Sequence, residues 1–493
     1  MSTFHGLEMA KQALFTQQTA LYTTGHNIAN SNTKGYTRQR VNFETQGAYP
    51  SPGLNRPQMP GQIGTGVKAG TIERIRDKFL DQQYRTEHTK AGYWQTTSEA
   101  LGRMESILNE PSDSGLAKTF DKFWDSLQDL ANNPDNSGAR SVVARRGQAV
   151  ADTFNYLSNS LTAAKKDLAN QEDVTVEKAN TLIDQIHEIN EQIKRLEPHG
   201  YLPNDLYDRR NVLVDELAEI VPIQVDYEKS SNSSPDIAEG LVKITLADSG
   251  ENGGTVLLDD KNGEMNKFKS SHAADGAEEG LDPTKLKDKN GSLNALVHAQ
   301  EEYTDMLANL DNMAKTFVEE FNKVHNDGYD INGEQEGEGN FFTGDSAATI
   351  KISDAILKDP GQIRASAGAT GEGTKLDGKN ALALASIFEK TIEKDTDPGS
   401  ENPLQGTSIL GFYRSLIGDL GVQAQEANRM TDNTNALRAQ IDSQRESVSS
   451  VSLDEEISNL VKFQHAYNAA ARSMNAIDEM LDKIINGMGL VGR

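Results

Sequence analysis

Leu7, Leu14, Leu21 and Ile28 recur at seven-residue intervals near the start of the chain, with Ala10 between the first pair. The same interval returns near the finish at Leu453, Leu460, Tyr467, Met474, Leu481 and Met488. A seven-residue apolar repeat keeps one stripe on one side of a helix. Ile457, Ala471 and Ile485 mark a second line beside the C-terminal stripe. Each apolar side chain taken out of water contributes about 1.5–3 kcal/mol. Helices from opposite ends therefore gain most by packing together or against further copies of the chain, and the pattern points to assembly rather than catalysis.

A chain of 493 residues exceeds what one core holds, so several domains are expected. Only 6% of residues are aromatic, which suits long helices whose cores are thin seams. The net charge of −25 argues against nucleic acid, because neutralising phosphates needs a basic footprint. The first hundred residues carry more Lys and Arg than Asp and Glu, so the acidic excess lies further along. Without cysteine, neither a disulfide nor a thiolate metal site can form. Between Phe4 and Ile28 the apolar pattern is broken by Glu8, Lys11, Gln17, Gln18 and Thr23, unlike a secretory signal. No apolar run is long enough to span a bilayer, so no membrane insertion is expected.

The fold class expected is mainly α with β insertions: an elongated helical bundle made from both chain ends plus a small outer β domain. Residues 27–36 gather turn formers that stop the first helix. Thr37–Phe43 and Gly64–Ile72 read as strands around a Pro- and Gly-rich loop, Tyr49–Gly61. Phe79–Glu197 is helical throughout, in separate helices carrying Trp94 to Leu108, Phe120 to Leu130, Val143 to Leu168 and Ala179 to Leu196. Pro198 and Gly200 close that stretch before a helix at Leu206–Ile220. Ile223–Asp226, Leu241–Leu246 and Thr255–Leu258 alternate like strands, with turns at Asp248–Gly254 and Asn262–Gly263. A long helix carries Leu296, Tyr303, Leu310, Phe317 and Val324. Short strands are expected at Thr349–Ile352 and Gln362–Ala365, and helices at Ala381–Ile392 and Ile409–Ile441. In the final helix Ser452 and Glu455 have capping-box spacing, and Gly487 offers a stop. The domains expected are 1–75, 76–220, a β-rich insertion at 221–290, 291–445 with short β segments near 340–370, and 446–493.

Motifs that resemble chemistry fail on their details. Gly368–Lys375 approaches a phosphate loop, but Thr374 separates the Gly and Lys that must be adjacent. Asp330, Asn332 and Glu334 open like a calcium loop, yet Gln335 stands where Gly is required and Phe341 where the closing Glu belongs; weak divalent-ion binding near Asp330 is left open. Asp248–Asp259 has Gly253 at the turn position, but Gly250 replaces a ligand. No two His lie four apart on a helix, and the carboxylates are too abundant to single out an acid/base pair. No cofactor and no catalytic residue is expected.

Gly25-His26-Asn27-Ile28-Ala29-Asn30-Ser31-Asn32-Thr33-Lys34-Gly35-Tyr36-Thr37-Arg38-Gln39-Arg40-Val41 resembles the N-terminal signature of bacterial flagellar axial proteins. The His before Asn-Ile-Ala-Asn and the Gly-Tyr-Thr-Arg-Gln-Arg-Val that follows are similar to the hook-associated protein 1 family. Leu453-Asp454-Glu455-Glu456, Phe463-Gln464-His465-Ala466-Tyr467 and Ala469-Ala470-Ala471-Arg472 resemble that family's closing helix. Asn204–Arg210 and Phe321–Asp330 resemble internal family segments. The β insertion carries no such signature.

The resemblance implies a structural subunit of the hook–filament junction, cytoplasmic before export and sent out unfolded through the flagellar type III apparatus. Its partners would be copies of itself, the hook protein, a neighbouring hook-associated protein, and an export chaperone on the C-terminal helix. The assembly residues expected are Leu7, Leu14, Leu21, Ile28, Asn30, Gly35, Tyr36, Arg38, Arg40, Leu453, Ile457, Leu460, Tyr467, Met474 and Leu481. A hook or rod subunit is the nearest alternative, and a hydrolase in the middle region a remote one.

Overall fold

The computed structural model describes residues 4–50, 61–110, 112–113, 115–248, 252, 254–270, 280–335, 339–368, 377–392 and 404–487. Helix α1 (His5–Ala29) leads into a hairpin, β1 (Gln39–Thr45) and β2 (Val67–Arg74), antiparallel with an irregularity at Asn42/Phe43. Then come α2 (Lys78–Leu108), α3 (Leu116–Asn132) and α4 (Ser137–Leu196). Asp77 caps α2 by accepting from Phe79 N, and Asn136 caps α4 by accepting from Gly138 N and Ala139 N, so donors left over in the first turn of each helix are satisfied. The stretches expected as separate helices, Val143–Leu168 and Ala179–Leu196, form one helix of 60 residues. Nothing between Leu168 and Ala179 breaks a helix, and Glu172 and Val176 continue its buried face.

After α5 (Asn204–Ile220), strands β3 (Ile223–Glu228), β4 (Leu241–Leu246), β5 (Val256–Asp259) and β6 (Glu264–Met265) form a sheet in sequence order. The strand positions follow the alternation in the sequence. The expected turn at Asp248–Gly254 lies partly outside the described residues, as do most of the Tyr49–Gly61 loop and the Gly368–Lys375 stretch. Helix α6 (Ser292–Asn326) is followed by a two-residue pair, β7 (Phe342–Thr343) and β8 (Lys351–Ile352), then α7 (Asp354–Lys358) and α8 (Lys379–Ser386). Gln362–Ala365, expected as a strand, forms none: a 3-10 turn occupies Pro360–Gln362, and Ser366 alone bridges to Tyr329. The helix expected to reach Ile392 ends at Ser386. Two long helices close the chain, α9 (Ile409–Ser449) and α10 (Leu453–Gly487).

The main core lies among α2, α3, α4, α6, α8 and α9. The few aromatics are concentrated there: Phe120, Phe123, Phe154, Phe317, Phe321, Phe341, Phe342 and Phe388 are fully buried and contact one another mostly edge-on or tilted, with Phe123 and Phe321 stacked. A second core joins the later half of α4, α5 and the four-stranded sheet. The family-like segment Phe321–Asp330 earns its residues through hydrogen bonds. Asn322 accepts from Phe341 N at 2.9 Å and Phe342 N at 3.0 Å and donates to Phe342 O at 2.7 Å, which pins β7 to α6.

Candidate assembly site

The turn after α1 is organised by one buried amide. Asn27 donates through Nδ2 to Gln39 O at 2.8 Å and accepts through Oδ1 from Gln39 N at 3.0 Å, taking the place of a strand neighbour. The Tyr36 hydroxyl donates to the same Oδ1 at 2.8 Å, and His26 Nδ1 lies 2.9 Å from that hydroxyl. Burial, with Asp205, Asp208 and Glu456 nearby, pushes the Tyr36 phenol well above its ordinary value, so it stays protonated as a donor. Asn30 bonds back to His26 O and receives Thr33 Oγ1, closing the loop.

Gly35 adopts φ +78°, and a Cβ there would collide with Val212 Cγ2. Gly35→Ala is expected to lower stability by about 2 kcal/mol or more, through left-handed strain and the clash together. Urea unfolding tests this. Adding Val212→Ala should restore part of the loss, and no restoration would mean that the clash is not its source.

The first turns of α5 receive the segment that follows. Thr37 N donates to Asp208 Oδ2 at 3.0 Å, Gln39 Nε2 to Asp205 Oδ1 at 3.1 Å, and Asn204 Nδ2 to both Gln39 Oε1 and Ile72 O at 3.1 Å. Arg74 holds the other Asp208 oxygen at 2.6 Å and also pairs with Glu239. Arg74 and fully buried Arg210 both lie over the Tyr207 ring, at 5.1 and 5.3 Å from its centroid. The family-like run Asn204–Arg210 thus supplies the side chains that fasten the signature strand and β4 to α5.

Arg38 ties the two chain ends together. Its backbone N–H donates to Ser449 O at 2.9 Å, just where α9 gives way to α10. Its guanidinium makes a two-pronged pair with Glu455, at 2.8 and 2.9 Å, and donates through Nε to Glu456 at 2.9 Å. The Arg38 bond holds the exposed Glu455 carboxyl below its usual range. Both carboxylates sit in the first turn of α10, where the helix dipole also favours them. Glu455, expected to close a capping box on Ser452, gives both oxygens to Arg38 instead.

Below this strap lies a buried charge cluster. Asp81 takes Arg76 at 2.5 Å and Arg445 at 2.9 Å; Asp215 takes Arg445 at 2.6 Å and Arg85 at 2.7 Å. Burial opposes ionisation of Asp215, but Arg85, Arg445 and Arg76 outweigh it and hold the carboxyl below its ordinary value. Arg445 also lies over the Tyr84 ring, at 4.7 Å. The last turns of α9 are thereby fixed to α2 and α5.

Helices α1 and α10 pack against each other. Gly6 lies against Ile477, while Arg38, beyond the other end of α1, meets Glu456, so the pair is antiparallel. Leu7, Leu14, Leu21 and Ile28 are half-buried on α1, as are Leu460, Tyr467 and Met474 on α10, with Leu481 buried. The other line of the C-terminal seam is Glu456, Phe463, Ala470 and Ile477, alternating with Leu460 to Leu481 at spacings of four and three. Ile457 and Ile485, expected on that seam, are exposed because each lies one residue, about 100° of helix turn, past it. Leu453 is exposed as well, lying past the end of the antiparallel partner.

Arg40 points to solvent from β1. Asn27, Gln39, Asp208 and Glu456 had no periodic signal to betray them, whereas Phe463, Ala470 and Ile477 recur at seven-residue intervals that the expected seam passed over. The buried side chains of α1 are Ala10, Thr16, Ala20, Thr23, Thr24 and Asn27, small or polar rather than the leucine stripe.

Among the described residues no group of three or more His, Asp or Glu could hold a metal, and no helix is long and apolar enough to cross a membrane. Asp330 Oδ1 accepts from Asn332 N and Glu334 N, each at 2.8 Å, closing its turn on itself.

Two chain ends strapped into one antiparallel unit, with a helical body strung between them, define a helical structural subunit. Comparison with known proteins is specific. Residues 101–342 match the model of the flagellar hook-associated protein FlgK helical domain, residues 7–37 that of the flagella basal body rod protein, and residues 443–487 that of the flagellar basal body rod FlgEFG protein C-terminal. Flagellar hook-associated protein 1 of Bacillus subtilis is 43% identical over the full length of both chains, and that of Escherichia coli 24% identical over 97% of this chain and 98% of the relative. The flagellar hook junction protein FlgK from Burkholderia pseudomallei shares the fold, with a TM-score of 0.57 at 15% identity, over 75% of this chain and all of that one. The chain belongs to the flagellar hook-associated protein 1 family, structural components of the bacterial flagellum at the hook–filament junction.

Proposed function

We propose that the α1–α10 pair is the surface through which the chain joins copies of itself, the hook protein and the neighbouring hook-associated protein, and that the chain is not an enzyme. The observation that carries this is the apolar face the pair leaves in water. Phe15 and Tyr22 project from α1, and Ile457, Val461 and Ile485 from the side of α10 next to the seam. An apolar face of this kind marks an interaction surface. The seam within the chain orders the pair, and the outer face gains its shelter only from neighbours.

The remaining expected assembly residues divide by role. Asn30, Gly35, Tyr36 and Arg38 shape the turn that sets the direction of the pair, and Arg40 presents a charge to an axial neighbour. Before export, the same α10 face suits the groove of a chaperone, which would keep it from premature contacts. Residues 1–75 and 446–493 form the assembly region in this reading, and 76–220, 291–445 and the β insertion at 221–290 the outer body.

Ile457→Lys, Val461→Lys and Ile485→Lys together test it, because all three side chains are exposed and lie off the seam, so the fold does not need them. Expected is a chain with unchanged unfolding midpoint that no longer enters the hook–filament junction and gives non-motile cells. Normal incorporation would place the assembly surface elsewhere.

A further inference from the structure

Helices α6 and α9 lie side by side over α2 without closing on each other, and the channel between them is unfilled. Two cavities of about 160 and 190 Å³ lie end to end along it, sharing Glu302 and Gln423. Their walls follow helical stripes: partly exposed Trp94 from α2, above the buried Leu101 and Met104, with Phe412 and Leu416 from α9 on the floor. Glu302 and Asp305 from α6 form one rim, Asp419 and Glu426 from α9 the other. The α6 rim runs from His298 to Asn309, about 16 Å at 1.5 Å per residue, or three turns of a helix.

The charge on this groove is one-sided. Among the described residues Glu302, Asp305 and Asp419 enter no ion pair, Glu426 reaches only Arg429 of its own helix at 3.8 Å, and the one lining Lys, Lys289, stands at one end beside His298. An apolar floor between unpaired carboxylates has the complementarity for an amphipathic helix with Lys or Arg along both edges. Trp94 adds an aromatic surface suited to a cation. The chain's own exposed helix faces do not fit. Helix α10 carries Asp454, Glu455, Glu456, Asp478, Glu479 and Asp482 against Lys462, Arg472 and Lys483, and α1 carries only Lys11 against Glu8.

We propose that the α6–α9 groove is a docking site for a basic amphipathic helix of another protein, separate from the terminal-helix surface. Trp94 reports on it directly. The chain has two tryptophans, so Trp124→Phe leaves Trp94 as the only indole. The probe is a synthetic amphipathic peptide of about fifteen residues, with a Leu face flanked by Lys, titrated into the full-length W124F chain at low salt and followed by Trp94 emission and by anisotropy of a labelled peptide.

Expected is saturable binding with a shift in Trp94 emission, weakened at least about tenfold by E302Q/D305N/D419N and no more than about twofold by D152N/E177Q/E188Q, which removes as much charge from exposed positions of α4. Gln423→Lys, at an exposed position between the two cavities, should weaken binding without threatening the fold, and serves if the triple variant is unstable. Equal losses in the two triple variants, binding that leaves Trp94 emission unchanged, or no binding at low salt would each overturn the proposal. So would loss of self-association in E302Q/D305N/D419N by sedimentation, since a second copy would then be the occupant.

Discussion

Asp215→Ala should cost about 3–5 kcal/mol of stability, whereas Arg445→Met should cost about 1 kcal/mol or less. The asymmetry comes from counting charges in the cluster beneath the strap. Three guanidiniums, Arg76, Arg85 and Arg445, share two carboxylates, Asp81 and Asp215. Removing Arg445 leaves two matched pairs, Arg76 with Asp81 and Arg85 with Asp215, and Met keeps much of the apolar stem over the Tyr84 ring. Removing Asp215 leaves three cations around one carboxylate in a largely buried site, and the surplus is poorly compensated.

The pH dependence has a definite sign. Because the folded-state pKa of Asp215 is depressed, its contribution is full above the ordinary carboxylate range and is lost as pH falls through the depressed value. Urea unfolding of the two variants at neutral pH decides the matter. A larger loss for Arg445→Met than for Asp215→Ala would mean that the cluster is held by packing rather than by charge balance.

Acidification between pH 6.5 and 4 should destabilise the body through His325, at a cost that grows to about 3 kcal/mol. His325 is fully buried and uses both ring nitrogens: Nδ1 lies 2.5 Å from the Gly339 carbonyl, and Nε2 accepts from Arg364 N at 3.0 Å. That pattern needs the neutral ring with its proton on Nδ1. A second proton on Nε2 would face the Arg364 N–H, donor against donor, and burial adds to the penalty, pushing the folded-state pKa down to about 4. The unfolded chain binds the proton near pH 6.5 and the folded chain only near 4, so stability is full above 6.5 and falls as pH drops through that window. Below about 4 both states are charged, and the slope from this residue ends.

His325→Gln should lower stability at pH 7 by about 1–3 kcal/mol, because one amide cannot satisfy both backbone partners at their places. It should also remove the extra slope between pH 6.5 and 5, where carboxylates contribute little. Unfolding curves at pH 7 and 5 for both proteins measure this, and identical slopes would assign the acid sensitivity to other groups.

The helical character, the β insertion and the pairing of the chain ends were legible because they rest on local regularities. A seven-residue stripe or an alternating strand announces its buried face through a few neighbouring residues, and Asn262-Gly263 announces its turn. Recognition of the family also came from contiguous runs, and those runs carry the clamps: Asn27 and Arg38 in the first, Asp208 and Arg210 in the second, Asn322 and His325 in the third. The exclusion of Ile457 from the seam was not legible. By hydropathy Ile457 is the better core residue, yet Glu456 occupies the seam because Arg38, 418 positions away in sequence, neutralises it there.

By itself, then, the sequence determined most of the helices, the strands of the insertion and that both ends carry apolar stripes, since periodicity and turn chemistry act over a few residues. Tertiary structure alone decided which side of α10 faces α1, that α4 runs unbroken through 60 residues, and which charges can be buried. Those choices depend on groups brought together from distant parts of the chain. A carboxylate is tolerable in a core only where a guanidinium arrives to meet it, and no local pattern records that arrival.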